Sequence, residues 1–175
     1  MARHIFLTGP KQVGKTTLLR AALADFPGSV GGFCTLRTRA YLGDAWSVHL
    51  LRPGRGEAPG PQNLLFVCGA ADGETAARFD RLGTAALAEG AGRDVLLMDE
   101  LGPHEARAAV FRQAVLAALD GVVPILGVLQ AAPSPFLEEV ARHPQVRLIQ
   151  VTAENRDDPA LLAALRAAAA GKGVL

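Results

Sequence analysis

The chain lacks the marks of a secreted, membrane-spanning or cysteine-metal protein. Its two cysteines, Cys34 and Cys68, do not have the close pairing of a metal knuckle, and reduced, structural thiols are expected. No apolar run approaches the length that crosses a bilayer. Met1-Ala2-Arg3-His4 passes straight into an apolar segment with no signal-peptide core, so a soluble cytoplasmic protein without a membrane partner is expected. Surplus charge is also missing: 18 Lys and Arg face 17 Asp and Glu, for a net charge of +1. That balance argues against a broad nucleic-acid footprint and leaves room only for a local patch. No internal repeat and no linker divides the sequence. With half of its residues hydrophobic, the chain is expected to form one domain over residues 1–175 around one substantial core.

What the chain does have begins at Gly9. Gly9-Pro10-Lys11-Gln12-Val13-Gly14-Lys15-Thr16 fits the pattern G-x-x-x-x-G-K-[ST] and lies between an apolar strand, Ile5-Phe6-Leu7, and a helix-forming run, Thr17 to Leu23, that ends near Pro27-Gly28. The chemistry needs that placement. Glycines let successive backbone N–H groups converge on phosphate oxygens, and the helix that follows adds its positive N-terminal end. Lys15 is expected to meet the β- and γ-phosphates and to act in catalysis, and the Thr16 hydroxyl to hold Mg²⁺. Gly9 through Thr17 are the candidate nucleotide contacts.

Further along, Phe33 to Arg39 reads as a half-exposed strand, and Trp46 to Leu51 and Asn63 to Val67 read as further strands added antiparallel to a main sheet. The Pro- and Gly-rich segment Arg52 to Pro61 between the last two is either a lid or a surface connection. A helix is predicted from Gly73 to Glu89, with Asp72 as N-cap and Ala76, Phe79, Leu82, Ala86 and Leu87 on one face. Val95 to Met98 is a short buried strand. A helix from about Glu105 to Leu119 carries the apolar stripe Val110, Phe111, Ala114, Val115 and Ala118. Val122 to Leu129 and Val146 to Val151 read as buried strands around a short helix, Pro135 to His143, and Asp158-Pro159 opens a terminal helix. Strands alternating with helices imply parallel crossovers. The expected fold is α/β, a three-layer P-loop fold with a mainly parallel sheet, helices on both faces and added antiparallel strands.

Leu96-Leu97-Met98-Asp99-Glu100 is the second constellation. An apolar strand ending in Asp99 delivers a carboxylate to a metal-nucleotide from a rigid element, and Glu100 is placed to orient or deprotonate an attacking water. Glu105 either competes for that role or stabilises the first turn of the next helix. Arg37 and Arg39 either approach the triphosphate or form the exposed face of a strand. His4, His49 and His143 read as surface or satisfied side chains.

The loop Gly9 to Thr16, Gly31-Gly32-Phe33-Cys34-Thr35, the run Leu97-Met98-Asp99-Glu100-Leu101-Gly102-Pro103-His104-Glu105 and Asn155-Arg156-Asp157 together resemble the family of small P-loop nucleoside-triphosphatases that includes the cancer-related nucleoside-triphosphatase. The resemblance spans nearly the whole chain. It implies slow, Mg²⁺-dependent hydrolysis of ATP, GTP and other nucleoside triphosphates with low base selectivity. It also implies phosphate and metal roles for Lys15 and Thr16, a metal-linked Asp99, a catalytic Glu100 and a nucleotide-side loop at Asn155-Arg156. His104 stands where the family more often has Met. Two other readings stay open. Asp99-Glu100-Leu101-Gly102 and Asn155-Arg156-Asp157-Asp158 approximate the D-x-x-G and N-K-x-D patterns of a guanine-nucleotide switch, with Arg in place of Lys. A small-molecule kinase using ATP would instead hold an acceptor against the Pro- and Gly-rich loop and the middle strands.

Overall fold

The computed structural model describes residues 2–70 and 72–172. Met1, used above to read the N-terminus, and residues 173–175 of the expected domain lie outside them. Seven strands form one sheet: β1 (His4–Thr8), β2 (Val30–Thr38), β3 (Ser47–Leu51), β4 (Leu64–Val67), β5 (Val95–Leu101), β6 (Ile125–Leu129) and β7 (Val146–Gln150). Their order across it is β4-β3-β2-β5-β6-β1-β7. The five strands from β2 to β7 in that order run parallel, and β3 and β4 are appended antiparallel beyond β2. β2 therefore belongs to the parallel sheet, and β3 and β4 are the antiparallel additions that were expected. Its N-terminal half pairs with β5 and its C-terminal half with β3, meeting at Cys34.

Side chains alternate across the central strands and so feed two cores. Ile5, Leu7, Val95, Leu97, Leu126 and Val128 join one; Phe6, Leu96, Met98, Ile125 and Leu129 join the other. The first core is closed by α1 (Lys15–Leu23) through Leu18, Leu19 and Ala22, and by the C-terminal helix (Pro159–Ala169) through Leu161 and Leu165. Across the sheet, α2 (Thr75–Arg78) runs through a π-helical turn, Phe79–Gly83, into α3 (Thr84–Gly90). There α4 (Ala109–Asp120) and α5 (Pro135–Arg142) complete the second core, and the C-terminal helix is α6. Helices on both faces of a mainly parallel sheet make the three layers that were expected. No helix among the described residues is long and apolar enough to cross a membrane.

Several boundaries differ from expectation. Asp72 lies before the helix rather than at its cap; its carboxylate accepts the Glu74 N–H and pairs with Arg78. The run from Glu105 divides into a 3-10 turn, Pro103–Arg107, and α4, whose buried face is Phe111, Val115 and Leu119 while Val110 is 52% exposed. Strand β6 starts at Ile125, leaving Val122 exposed, and β7 is a half-exposed edge strand rather than a buried one.

Candidate functional site

The loop after β1 turns sharply onto α1. Gly9 and Gly14 hold φ values of 136° and 115°, left-handed backbone that favours glycine, and a Cβ on Gly9 would collide with the Val151 carbonyl oxygen. Lys15 is nearly buried, and its Nζ donates to Gly9 O at 2.8 Å and Pro10 O at 2.6 Å, so the ammonium sits inside the curl of its own loop. Burial lowers the Lys15 pKa, opposed by the Glu100 and Asp99 carboxylates. Gly9, Pro10, Lys11, Gln12, Gly14, Lys15, Thr16 and Thr17 all border one cleft of about 760 Å³. Val13 does not. Its side chain packs into the core with α1, so it can offer a ligand only its backbone.

The carboxyl end of β5 forms the facing wall, one strand beyond β6. The Thr16 hydroxyl donates to Asp99 Oδ1 at 3.1 Å and so joins the loop to that strand. Asp99 is 5% exposed, and burial raises its pKa to about 6, opposed by the Thr16 hydrogen bond. Hydroxyl and carboxylate oxygens placed together fit a hard divalent cation. No group of three His, Cys, Asp or Glu that could hold a metal occurs among the described residues. An ion here would therefore be completed by phosphate oxygens and water, the manner in which Mg²⁺ binds at phosphate sites.

Glu100 faces the same cleft, and the Gln130 side-chain amide donates to its Oε1. Gln130 follows β6 directly, and its backbone N–H bonds to Leu101 O at 2.9 Å. Sequence reading missed it. The one available signal was its place just after a buried apolar strand, where Asp99 was found on β5.

Glu105 is 3% exposed and accepts the Gly102 N–H at 3.0 Å, which secures the first turn of the 3-10 segment. It also borders the cleft. Burial raises its pKa to about 8, with its own and the Gly102 N–H bonds opposing. The sign for stability follows from linkage. A carboxyl whose folded pKa lies above the unfolded value keeps its proton in the native state after the unfolded chain has released it, so stability present at low pH is lost as pH rises through that window. For Asp99 the window runs from 3.8 to about 6, and for Glu105 from 4.5 to about 8. Glu105→Gln is expected to abolish the upper part of this loss. Denaturant midpoints of the ligand-free protein should fall between pH 6 and 8 in the wild type and stay level in the variant; an equally steep fall in both would remove Glu105 as the source.

The remaining candidates lie apart from this cleft or at its margin. Asn155 uses its side chain on its own loop, accepting Thr152 N at 2.8 Å and donating to Gln150 O at 2.9 Å. Arg156 lies beside Gly14 and is half-exposed, near Asp157. Neither borders the cleft. Asp158 caps α6, accepting Ala160 N at 2.8 Å. His4 and His49 are buried and hydrogen-bonded, and His143 pairs with Asp120, in line with the satisfied roles expected. Arg37 borders the cleft and stacks on Trp46, with Arg39 on the same ring. The Pro- and Gly-rich loop is not a lid over the cleft. Arg52, Pro53 and Arg55 line a separate depression with Gly31, Gly32 and Glu89, by the N-terminal end of β2.

The profile of the NTPase family matches residues 73–163. The human cancer-related nucleoside-triphosphatase is 33% identical, over 90% of this chain and 92% of the human protein. The nucleoside-triphosphatase THEP1 of Thermofilum pendens is 30% identical, over 89% and 90% respectively. The solution structure of a human cancer-related nucleoside triphosphatase superposes with a TM-score of 0.60 at 29% identity, over 93% of this chain and 94% of that one. The crystal structure of THEP1 from Aquifex aeolicus has a TM-score of 0.68 at 24% identity, over 91% and 95%, and shares the fold.

Proposed function

This chain belongs to the NTPase family, and we propose from that premise that it is a Mg²⁺-dependent nucleoside-triphosphate phosphohydrolase of low base selectivity, acting as a single domain. The observation that carries the reading is the Thr16–Asp99 hydrogen bond, which couples the phosphate loop to the strand that presents Glu100. Backbone N–H groups of the loop and the Lys15 ammonium bind and orient the β- and γ-phosphates. Thr16 and Asp99 would hold the cation, whose charge offsets that of the phosphate oxygens. Glu100, oriented by Gln130, takes a proton from the water that attacks the γ-phosphorus, and the bond to the bridging oxygen breaks to release nucleoside diphosphate and phosphate.

Low base selectivity is supported by the spending of polar groups on the nucleotide-side loop. Asn155 bonds to backbone and Asp158 caps a helix, so neither side chain is held free for a guanine edge. A site built on paired hydrogen bonds to one base rejects others by several orders of magnitude. Phosphate release from ATP, GTP, CTP and UTP, with and without Mg²⁺, tests the reading. ATP and GTP are expected to have specificity constants within about tenfold, about 1.4 kcal/mol. Asp158→Ala is expected to cost about 1 kcal/mol of stability with the base preference unchanged. A GTP preference of about a thousandfold that vanished in Asp158→Ala would establish the guanine-nucleotide switch instead.

A further inference from the structure

The cleft extends well past the phosphate loop. It measures about 760 Å³, within the range of small-molecule sites, and takes in both the phosphate loop and residues of the appended strands. The phosphate loop lies at one end. The other end is walled by β2, β3, β4, the π-helical turn and the 3-10 turn after β5, through Thr35, Arg37, Val48, Phe66, Phe79 and His104. Strand order puts this chamber beyond the γ end of a triphosphate, because β2 is the next neighbour of β5, which carries Glu100, and β3 and β4 lie further out. The loop with Asn155 and Arg156 follows β7, on the opposite side of the phosphate loop.

The chamber has two chemical characters. Phe66 and His104 pack with 4.3 Å between ring centroids and a tilt of 32°, and with Val48 and Phe79 they form a largely apolar, aromatic wall. Arg37 supplies the cation. Its guanidinium rests 4.3 Å from the Trp46 ring centre, the residue borders the cleft, and among the described residues no carboxylate pairs with it, so its N–H donors are open to an incoming anion. A planar heterocycle carrying a phosphate complements both. We propose that the chamber binds a nucleoside 5′-monophosphate, its base against the Phe66–His104 wall and its phosphate toward Arg37, and that the protein transfers the γ-phosphoryl group of a nucleoside triphosphate to it.

This rests on the assignment of the triphosphate to the phosphate loop but goes beyond hydrolysis. A non-bridging oxygen of the monophosphate forms a bond to the γ-phosphorus. The bond from that phosphorus to the β–γ bridging oxygen breaks, and its electron pair leaves with the diphosphate, so the products are two nucleoside diphosphates. No proton need move, because a phosphomonoester loses its second proton near pH 6 and arrives as the dianion at pH 8. Water, in contrast, must give a proton to Glu100. Glu100→Gln therefore slows hydrolysis more than transfer.

The test incubates the full chain with Mg²⁺ and ATP labelled in its γ-phosphate, with AMP, GMP, CMP or UMP, and separates labelled diphosphate from labelled phosphate. At least one monophosphate is expected to give labelled diphosphate about tenfold faster than phosphate is released. Arg37→Ala is expected to lower that transfer by about tenfold or more, the scale of a lost charged hydrogen bond, while phosphate release from ATP alone stays within about twofold. Trp46, the one tryptophan, gives a second readout: its fluorescence should change saturably when the monophosphate binds alongside a non-hydrolysable ATP analogue. Phosphate release without labelled diphosphate and without that fluorescence change overturns the acceptor site and leaves hydrolysis standing. Transfer unchanged in Arg37→Ala overturns the proposal as well. Neither product from ATP would instead overturn the hydrolytic reading beneath it.

Discussion

Lys15→Ala should reduce nucleoside-triphosphate turnover by about 10²–10³-fold or more, the loss expected when a charged donor aimed at developing negative charge is removed from a site shielded from water. The ammonium lies among the Gly9 and Pro10 carbonyls, where incoming phosphates would replace those oxygens as its partners. Burial already lowers its pKa, so a polyanion that restores favourable interaction with the charged form should bind with gain. The variant should still fold, since α1 is anchored through Leu18, Leu19 and Ala22 and not through Lys15. Steady-state phosphate release, alongside circular dichroism to confirm the fold, measures the effect. A well-folded Lys15→Ala protein with undiminished turnover would remove the site.

How far the sequence discloses this architecture depends on whether a feature is local. The phosphate loop is eight consecutive residues between a strand and a helix, and β1 and β5 are apolar runs buried on both faces, so all three are readable from composition along the chain. Alternation reports exposure but not the partner. It identifies β2 as a strand without revealing that Val30 to Cys34 pair in parallel with β5. For the same reason β7 reads as buried: its Leu148 is apolar whether it lies inside or, as here, 41% exposed at an edge. Periodicity also misses the π-helical turn Phe79–Gly83, where Gly83 lies so close to the Phe111 ring that a side chain would strike it. In the site, Thr16 and Asp99 are each legible at the end of an element, but the hydrogen bond between them is not. The place of Gln130 after an apolar strand is legible, but its partnership with Glu100 is not, because it spans 30 residues. The burial that keeps Glu105 protonated depends on packing that no short window of sequence contains.

The central claim is that the cleft activates water with Glu100 on a nucleotide held by the phosphate loop. Glu100→Gln preserves shape and keeps a side chain that can meet Gln130, but it cannot accept the water's proton. Loss of a general base lowers a rate by about 10²–10⁴-fold and leaves binding largely intact. Glu105→Gln should cost less, because Glu105 accepts the Gly102 N–H and is held protonated near neutral pH. Gln130→Ala should fall between them, since it frees Glu100 without removing its carboxylate. Single-turnover phosphate release from Mg²⁺-ATP, measured on samples whose nucleotide affinity has been determined in parallel, separates these cases. The expected result for Glu100→Gln is near-wild-type affinity with release slowed by at least about 10²-fold. Wild-type release by Glu100→Gln, or a larger loss in Glu105→Gln, would contradict the account and move the catalytic carboxylate down the loop.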